Sequence, residues 1–161
     1  MSHSFTFLLY HLVFATKLRR PWLDLEIQPR LYAYMAEWIR QLQGIPLAIN
    51  GMPEHVHVLA RLSQNTALED VLRGLKAHSS RWLHQTFPAL DAFAWQTGYG
   101  AFTVSRSQEG RVRGYIDNQK EHHRNRTYLD EFRTLLQAHG LEISPDELEE
   151  LQLVLPEDDN S

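Results

Sequence analysis

Ile45-Pro46-Leu47-Ala48-Ile49-Asn50-Gly51-Met52-Pro53-Glu54-His55-Val56-His57-Val58-Leu59-Ala60-Arg61-Leu62 is the stretch from which the fold can be read. Ile45, Leu47 and Ile49 recur at every second position, the period of a strand with one buried face. Asn50-Gly51 is a hairpin-turn dipeptide, and residues 55 to 62 are predicted to return as the paired strand. Side chains alternate between the faces of a strand, so His55 and His57 share one face, roughly 7 Å apart along the chain. Val56 and Val58 then point to a core, and the imidazoles are predicted to turn outward, where they can chelate one cation together.

Working outward, Phe5 to Ala15 is rich in aromatic and β-branched residues and reads as a first strand, leading into the basic turn Lys17-Leu18-Arg19-Arg20-Pro21. Pro29 stands where a first helical turn tolerates it. Leu31, Met35, Trp38, Ile39 and Leu42 recur at helical spacing until Gly44 ends the run. Beyond the hairpin, Thr66-Ala67-Leu68-Glu69 reads as a capping box. It would open a long helix with the apolar face Leu68, Val71, Leu72, Leu75 and Trp82. A strand region follows within 92–105, interrupted at Gly98-Tyr99-Gly100, then helices from about Gln108 to His123 and from about Tyr128 to His139. Ser144-Pro145-Asp146-Glu147 can cap a short acidic helix before a disordered stretch from Pro156 to Ser161. The order strand, helix, strand, strand, helix, strand predicts an α+β fold, a ferredoxin-like split βαβ sandwich with helices on an antiparallel sheet. There is no internal repeat.

The chain has 161 residues, 43% of them hydrophobic, the size and composition of one domain with a core. No run approaches the roughly 18 apolar residues of a spanning helix, and the apolar start has the wrong order for a secretory signal, so a soluble, cytoplasmic protein is expected. With no cysteine, thiolate metal sites and thiol nucleophiles are excluded, leaving His, carboxylate, amide or water as ligands. The formal charge of −4 divides unevenly. Residues 142–161 hold eight acids and no Lys or Arg, whereas residues 1–141 hold 16 basic and 12 acidic groups, a net of +4. The division predicts a domain over 1–141 and an acidic, partly disordered extension over 142–161, either a solvated terminus or a regulatory tail.

A second concentration of chemistry lies in Arg111-Val112-Arg113-Gly114-Tyr115-Ile116-Asp117-Asn118-Gln119-Lys120-Glu121-His122-His123-Arg124. On a helix, Tyr115 and Gln119 stand at i and i+4 and present a phenol and an amide on one face. Gly110 and Gly114 each cost about 1 kcal/mol relative to Ala, so this helix is weak beside the tyrosine. A divalent ion held by His55, His57 and Gln119 would polarise a scissile phosphate for attack by Tyr115, giving a phosphotyrosine that a hydroxyl can reverse without ATP.

These residues resemble the single-tyrosine HUH transposases of bacterial insertion sequences, with the REP-associated tyrosine transposases as close relatives. His55-Val56-His57 matches the HUH motif, and Tyr115 to Gln119 matches the catalytic helix. Tyr10 to Lys17, Asn50 to Glu54 and Trp95 to Phe102 extend the likeness over nearly all of 5–141. The resemblance implies Tyr115 as nucleophile and His55, His57 and Gln119 as ligands of Mg²⁺ or Mn²⁺. It further implies a 5′-phosphotyrosine intermediate on single-stranded DNA with hairpin ends, and a homodimer in which the tyrosine helix of one subunit completes the other's site. The acidic extension departs from the family pattern.

Single-stranded DNA needs cations for its backbone and rings for its bases. The candidates are Lys17, Arg19, Arg20, Arg73, Lys76, Arg81, His122, His123 and Arg124, with Trp22 as a stacking ring. Two other readings fit the same residues: a domesticated, transposase-derived hairpin-binding protein, and a metal-dependent phosphohydrolase in which Tyr115 is only structural.

Overall fold

A computed structural model describes residues 3–156, so the disorder expected after Pro156 lies outside the described residues. Strands β1 (Leu9–Ala15), β2 (Ile45–Met52), β3 (His55–Arg61) and β4 (Gly100–Thr103) form one antiparallel sheet in the order β2-β3-β1-β4. Helices α1 (Ile27–Gln41) and α2 (Leu68–Thr86) cover one face. Leu31, Met35 and Ile39 of α1 and Val71, Leu72 and Leu75 of α2 pack there with Leu12, Phe14, Val56 and Val58. This is the expected split βαβ sandwich.

The opposite face carries a second helical layer. It is made of α3 (Glu109–Asp117), α4 (Gln119–His122), α5 (Tyr128–Ala138) and α6 (Pro145–Glu150). Ile116 of α3 packs with Leu9, Ala48 and Leu59, while Tyr128, Phe132 and Leu136 of α5 pack with Val13, Ala15, Phe102 and Leu148. That layer overturns one expectation: His55 and His57 do not face solvent but are 0% exposed. A strand covered on both faces loses its polar–apolar alternation as a guide to exposure.

Four local expectations also need correction. The hairpin turns at Pro53-Glu54, because β2 continues through Asn50-Gly51 to Met52, paired with His55. Asn50 and Gly51 serve other ends. The Asn50 amide donates to the carbonyls of Ile116 (3.0 Å) and Asp117 (3.2 Å) at the end of α3, and a Cβ at Gly51 would run into the backbone of His55. The capping box at Thr66 does not form, since Ala67 is the N-cap, and Glu69 and Asp70 complement the helix dipole instead. The helix predicted over 108–123 breaks at Asn118 into α3 and α4. The first strand starts later than expected, with Phe5 97% exposed. Ser144 caps α6 as predicted, and does so as a capping box with both reciprocal hydrogen bonds. Among the described residues no helix is long and apolar enough to cross a membrane.

Candidate active site

The register of the sheet sets the site. On the face covered by α3–α6, Ala15 is opposite His55, Val13 is opposite His57 and His11 is opposite Leu59, so His11 is the diagonal neighbour of His57. Asn50 stitches α3 to β2, and Lys120 does the same for α4 through Gln28 Oε1 (2.9 Å), the Gly51 carbonyl (3.1 Å) and Asn50 Oδ1 (3.3 Å). These ties hold Tyr115 and Gln119 over the histidines.

At the centre is a residue that the sequence reading missed, Glu131 of α5. Its Oε1 is 2.9 Å from His57 Nε2, 3.0 Å from His123 Nε2 and 3.3 Å from His55 Nε2. Its Oε2 accepts hydrogen bonds from the Tyr115 hydroxyl and from Gln119 Nε2 (3.0 Å). Gln119 Oε1 in turn accepts from His55 Nε2 (2.9 Å). Tyr115, Gln119, His55 and His57 therefore converge as the sequence reading expected, and they converge on a carboxylate. The break at Asn118 does not separate Tyr115 from Gln119.

Charge and burial fix the protonation states. Burial opposes a charge on His55, but hydrogen bonds and charge from Glu131 and Glu54 outweigh it and raise its pKa to about 9. His57 is driven the other way by burial, to about 4, and His11 by burial and by His57, to about 3. Neutral His57 donates through Nε2 to Glu131, and its Nδ1 accepts from His11 Nε2 (2.8 Å). Burial would raise the Glu131 carboxyl, but its bonds with His123, His55 and His57 hold it well below the carboxylate range. Burial and the Glu131 carboxylate push the Tyr115 phenol up, so at rest it keeps its proton.

The donor set fits a divalent cation. Each Nδ1 has its own partner, Glu54 Oε1 for His55 (2.9 Å) and His11 Nε2 for His57 (2.8 Å), which orients both rings; a cation at Nε2 of His57 would require the other tautomer, with His57 Nδ1–H donating to His11. One ligand atom from each of His55, His57 and Glu131 lies within 4.8 Å of the others, and the amide of Gln119 adjoins them. Two imidazoles with carboxylate and amide oxygen suit a first-row divalent ion or Mg²⁺.

The basic candidates are scattered. Arg73 pairs with Glu69 and Asp70, and Arg124 pairs with Glu121. Arg19 Nε donates to the Leu153 carbonyl at 2.9 Å. Lys76 donates to the Gly98 carbonyl, and burial lowers its pKa to about 8. The His123 side chain is buried against Glu131, and the His122 ring leans on Tyr115 with centroids 4.7 Å apart. Lys17 is half-buried, Arg20 and Arg81 are exposed, and Trp22 packs on Phe93. On α3 and in the turn before it are arginines that the sequence reading did not include among the DNA contacts. Arg106, Arg111 and Arg113 are exposed, with no paired acid among the described residues.

The pattern of the family described as Transposase IS200 like matches residues 4–119. The ISDra2 transposase TnpA of Deinococcus radiodurans is 27% identical over 117 residues, 70% of this chain and 84% of its own length. A crystallised Deinococcus radiodurans R1 protein, assigned as a transposase, is 28% identical with a TM-score of 0.62, covering 74% of this chain and 95% of that one. A REP-associated tyrosine transposase, whose structure was solved bound to a REP hairpin, shares the fold at 17% identity and a TM-score of 0.50, covering 74% and 70% of the two chains. His55, His57, Tyr115 and Gln119 fall inside the family match, whereas His123, Glu131 and helices α5 and α6 lie beyond it.

Proposed function

This chain belongs to the IS200-like transposase family, and from that premise we propose that it cuts and rejoins single-stranded DNA at the hairpin-marked ends of a mobile element, through a 5′-phosphotyrosine on Tyr115. The observation that carries this reading is the convergence of the Tyr115 hydroxyl, the Gln119 amide and both imidazoles of the H-x-H pair on one point. A nucleophile poised beside an orienting carboxylate and a cation site is a constellation suited to covalent phosphoryl transfer.

In the reaction, the Tyr115 oxygen bonds to phosphorus and the bond to the 3′-oxygen of the preceding nucleotide breaks. Glu131 Oε2 already accepts the phenol's hydrogen bond and orients it; the phenol proton is lost to water as the bond to phosphorus forms, and the departing 3′-oxygen takes up a proton from water. Gln119 holds the carboxylate through Nε2 and keeps Oε2 beside the phenol. Rejoining is the same path reversed, with a 3′-hydroxyl as nucleophile. Mg²⁺ or Mn²⁺ held by His55, His57, Glu131 and Gln119 would polarise the phosphate and stabilise the phenolate. Within one chain Tyr115 lies over that chain's own histidines, with ring centroids of Tyr115 and His57 5.8 Å apart, which differs from the exchange of tyrosine helices between subunits that the resemblance implies. A homodimer would carry two such sites, one for each end of the element.

Single-stranded oligonucleotides from the flanking DNA, incubated with the protein and Mn²⁺ and run on a denaturing gel, should give a shifted protein–DNA adduct. Tyr115→Phe should give none while keeping its melting behaviour. Cleavage by that variant at the wild-type rate would rule out the tyrosine as nucleophile.

A further inference from the structure

The α3 residues beside Tyr115 line more than the histidine site. Gln108, Arg111, Val112 and Tyr115 stand at i, i+3, i+4 and i+7 and so share one side of the helical turn. They wall a groove of about 440 Å³ between α3, β4 and the end of α5, with Tyr115 and His11 at its inner end. The volume is within the range of small-ligand sites. Across from α3, His139 stacks on Phe102 with ring centroids 4.3 Å apart and planes inclined by 24°. Both Arg111 and His139 are exposed, and no acid pairs with Arg111 among the described residues.

An aromatic platform beside a free guanidinium is what a single nucleotide asks of a protein, a ring face for the base and a cation for the phosphate. A groove that begins at the attacking residue also receives whatever is joined to the phosphate under attack. We propose that this groove seats one unpaired nucleotide adjoining the phosphate that Tyr115 attacks, its base against the His139–Phe102 pair and its own phosphate on Arg111. The proposal rests on the function proposed above and adds a subsite that selects where the strand is cut. It also gives α5, beyond the family match, a part in substrate choice.

The test uses the full chain and single-stranded oligonucleotides spanning a cleaved end, each with one abasic residue within three positions of the cut. Adduct formation is measured with the wild type, Arg111→Ala and Ala138→Trp, the last placing a ring in the groove from an exposed position. Binding to Tyr115→Phe is measured in parallel. One abasic position should slow wild-type adduct formation and weaken binding by about five- to a hundredfold, the worth of one stacked base. Ala138→Trp should slow cleavage of the intact strand to a similar degree and be insensitive to the abasic residue at that position. Arg111→Ala should weaken binding and flatten its salt dependence. Thermal melts of both variants should match the wild type; if Ala138→Trp melts early, Arg111→Ala alone decides. If all abasic strands are bound and cut at the intact rate, or both variants keep the wild-type ratio of intact to abasic cleavage, the groove is not a nucleotide site. Absence of adduct from every strand, with abasic-sensitive binding retained, would overturn the chemistry and leave the groove standing.

Discussion

Glu131 decides the electrostatics of the site, because the proton on His55 depends on it. A group whose pKa is raised by folding stabilises the fold below its unfolded value and loses that contribution as pH climbs through the folded one. His55 is raised from 6.5 to about 9, so metal-free protein should lose stability, on the order of 2 kcal/mol, between those pH values. Glu131→Gln should flatten that slope and lower stability near pH 6 by about 3 kcal/mol, since it leaves buried His55 with a weaker partner. Urea melts at pH 6, 7.5 and 9 check both, and an unchanged slope in the variant would mean that Glu131 does not hold the proton. His55, His57, Tyr115 and Gln119 were legible because their spacing is local. Glu131 is 74 residues from its partner His57, and His11 is 46. A faint signal existed for each: Glu131 interrupts the apolar stripe Tyr128, Phe132, Leu135 and Leu136, and His11 interrupts the run Leu9 to Ala15.

Helix α3 carries Tyr115 on a backbone that two glycines loosen. Gly114 is in its interior, and a Cβ there would meet nothing within 4 Å. Gly114→Ala should therefore stabilise the protein by about 0.5–1 kcal/mol. That is a rise of roughly 2–3 °C in a melt for a chain of this size. Gly74 of α2 is the contrast. A Cβ there would lie 2.6 Å from Trp38 Cζ2, and that ring is held on its other neighbour, His78, at 4.0 Å between centroids. Gly74→Ala should cost about 1–3 kcal/mol by overpacking, and a neutral result would show that α1 and α2 can separate at this point. Elements with a strong period, α1, α2 and the hairpin strands, were legible. The hairpin turn was not, because the demands of α3 on Asn50 and of β3 on Gly51 outweigh the local preference of an Asn-Gly pair for a turn.

For the whole molecule, the sequence offered two readings of the acidic extension, and its described part packs on the body. Leu148 and Leu153 are 5% and 0% exposed and join Val13, Phe102, Phe132 and Leu136 in one cluster. The same segment clamps the basic turn, where Leu18 and Arg19 have φ of 56° and 55°, a region costly for residues other than glycine. Leu18 N donates to the Gln152 carbonyl at 2.7 Å and Arg19 Nε to that of Leu153 at 2.9 Å. Deleting residues 142–161 would uncover α5 and release that turn. The two leucines alone are worth about 4 kcal/mol by transfer of their side chains to water. The midpoint of a thermal melt should then fall by roughly 10 °C. The deletion also removes eight acids, turning a net charge of −4 into +4. If those acids competed with phosphates, each freed contact would steepen log affinity against log salt by about 0.7 for a single strand. Because the segment is committed to packing, the expected result is a lower midpoint with an unchanged slope. Binding isotherms at several salt concentrations, run beside the melt, separate the outcomes: a steeper slope with an unmoved midpoint would make the extension a competitor for DNA.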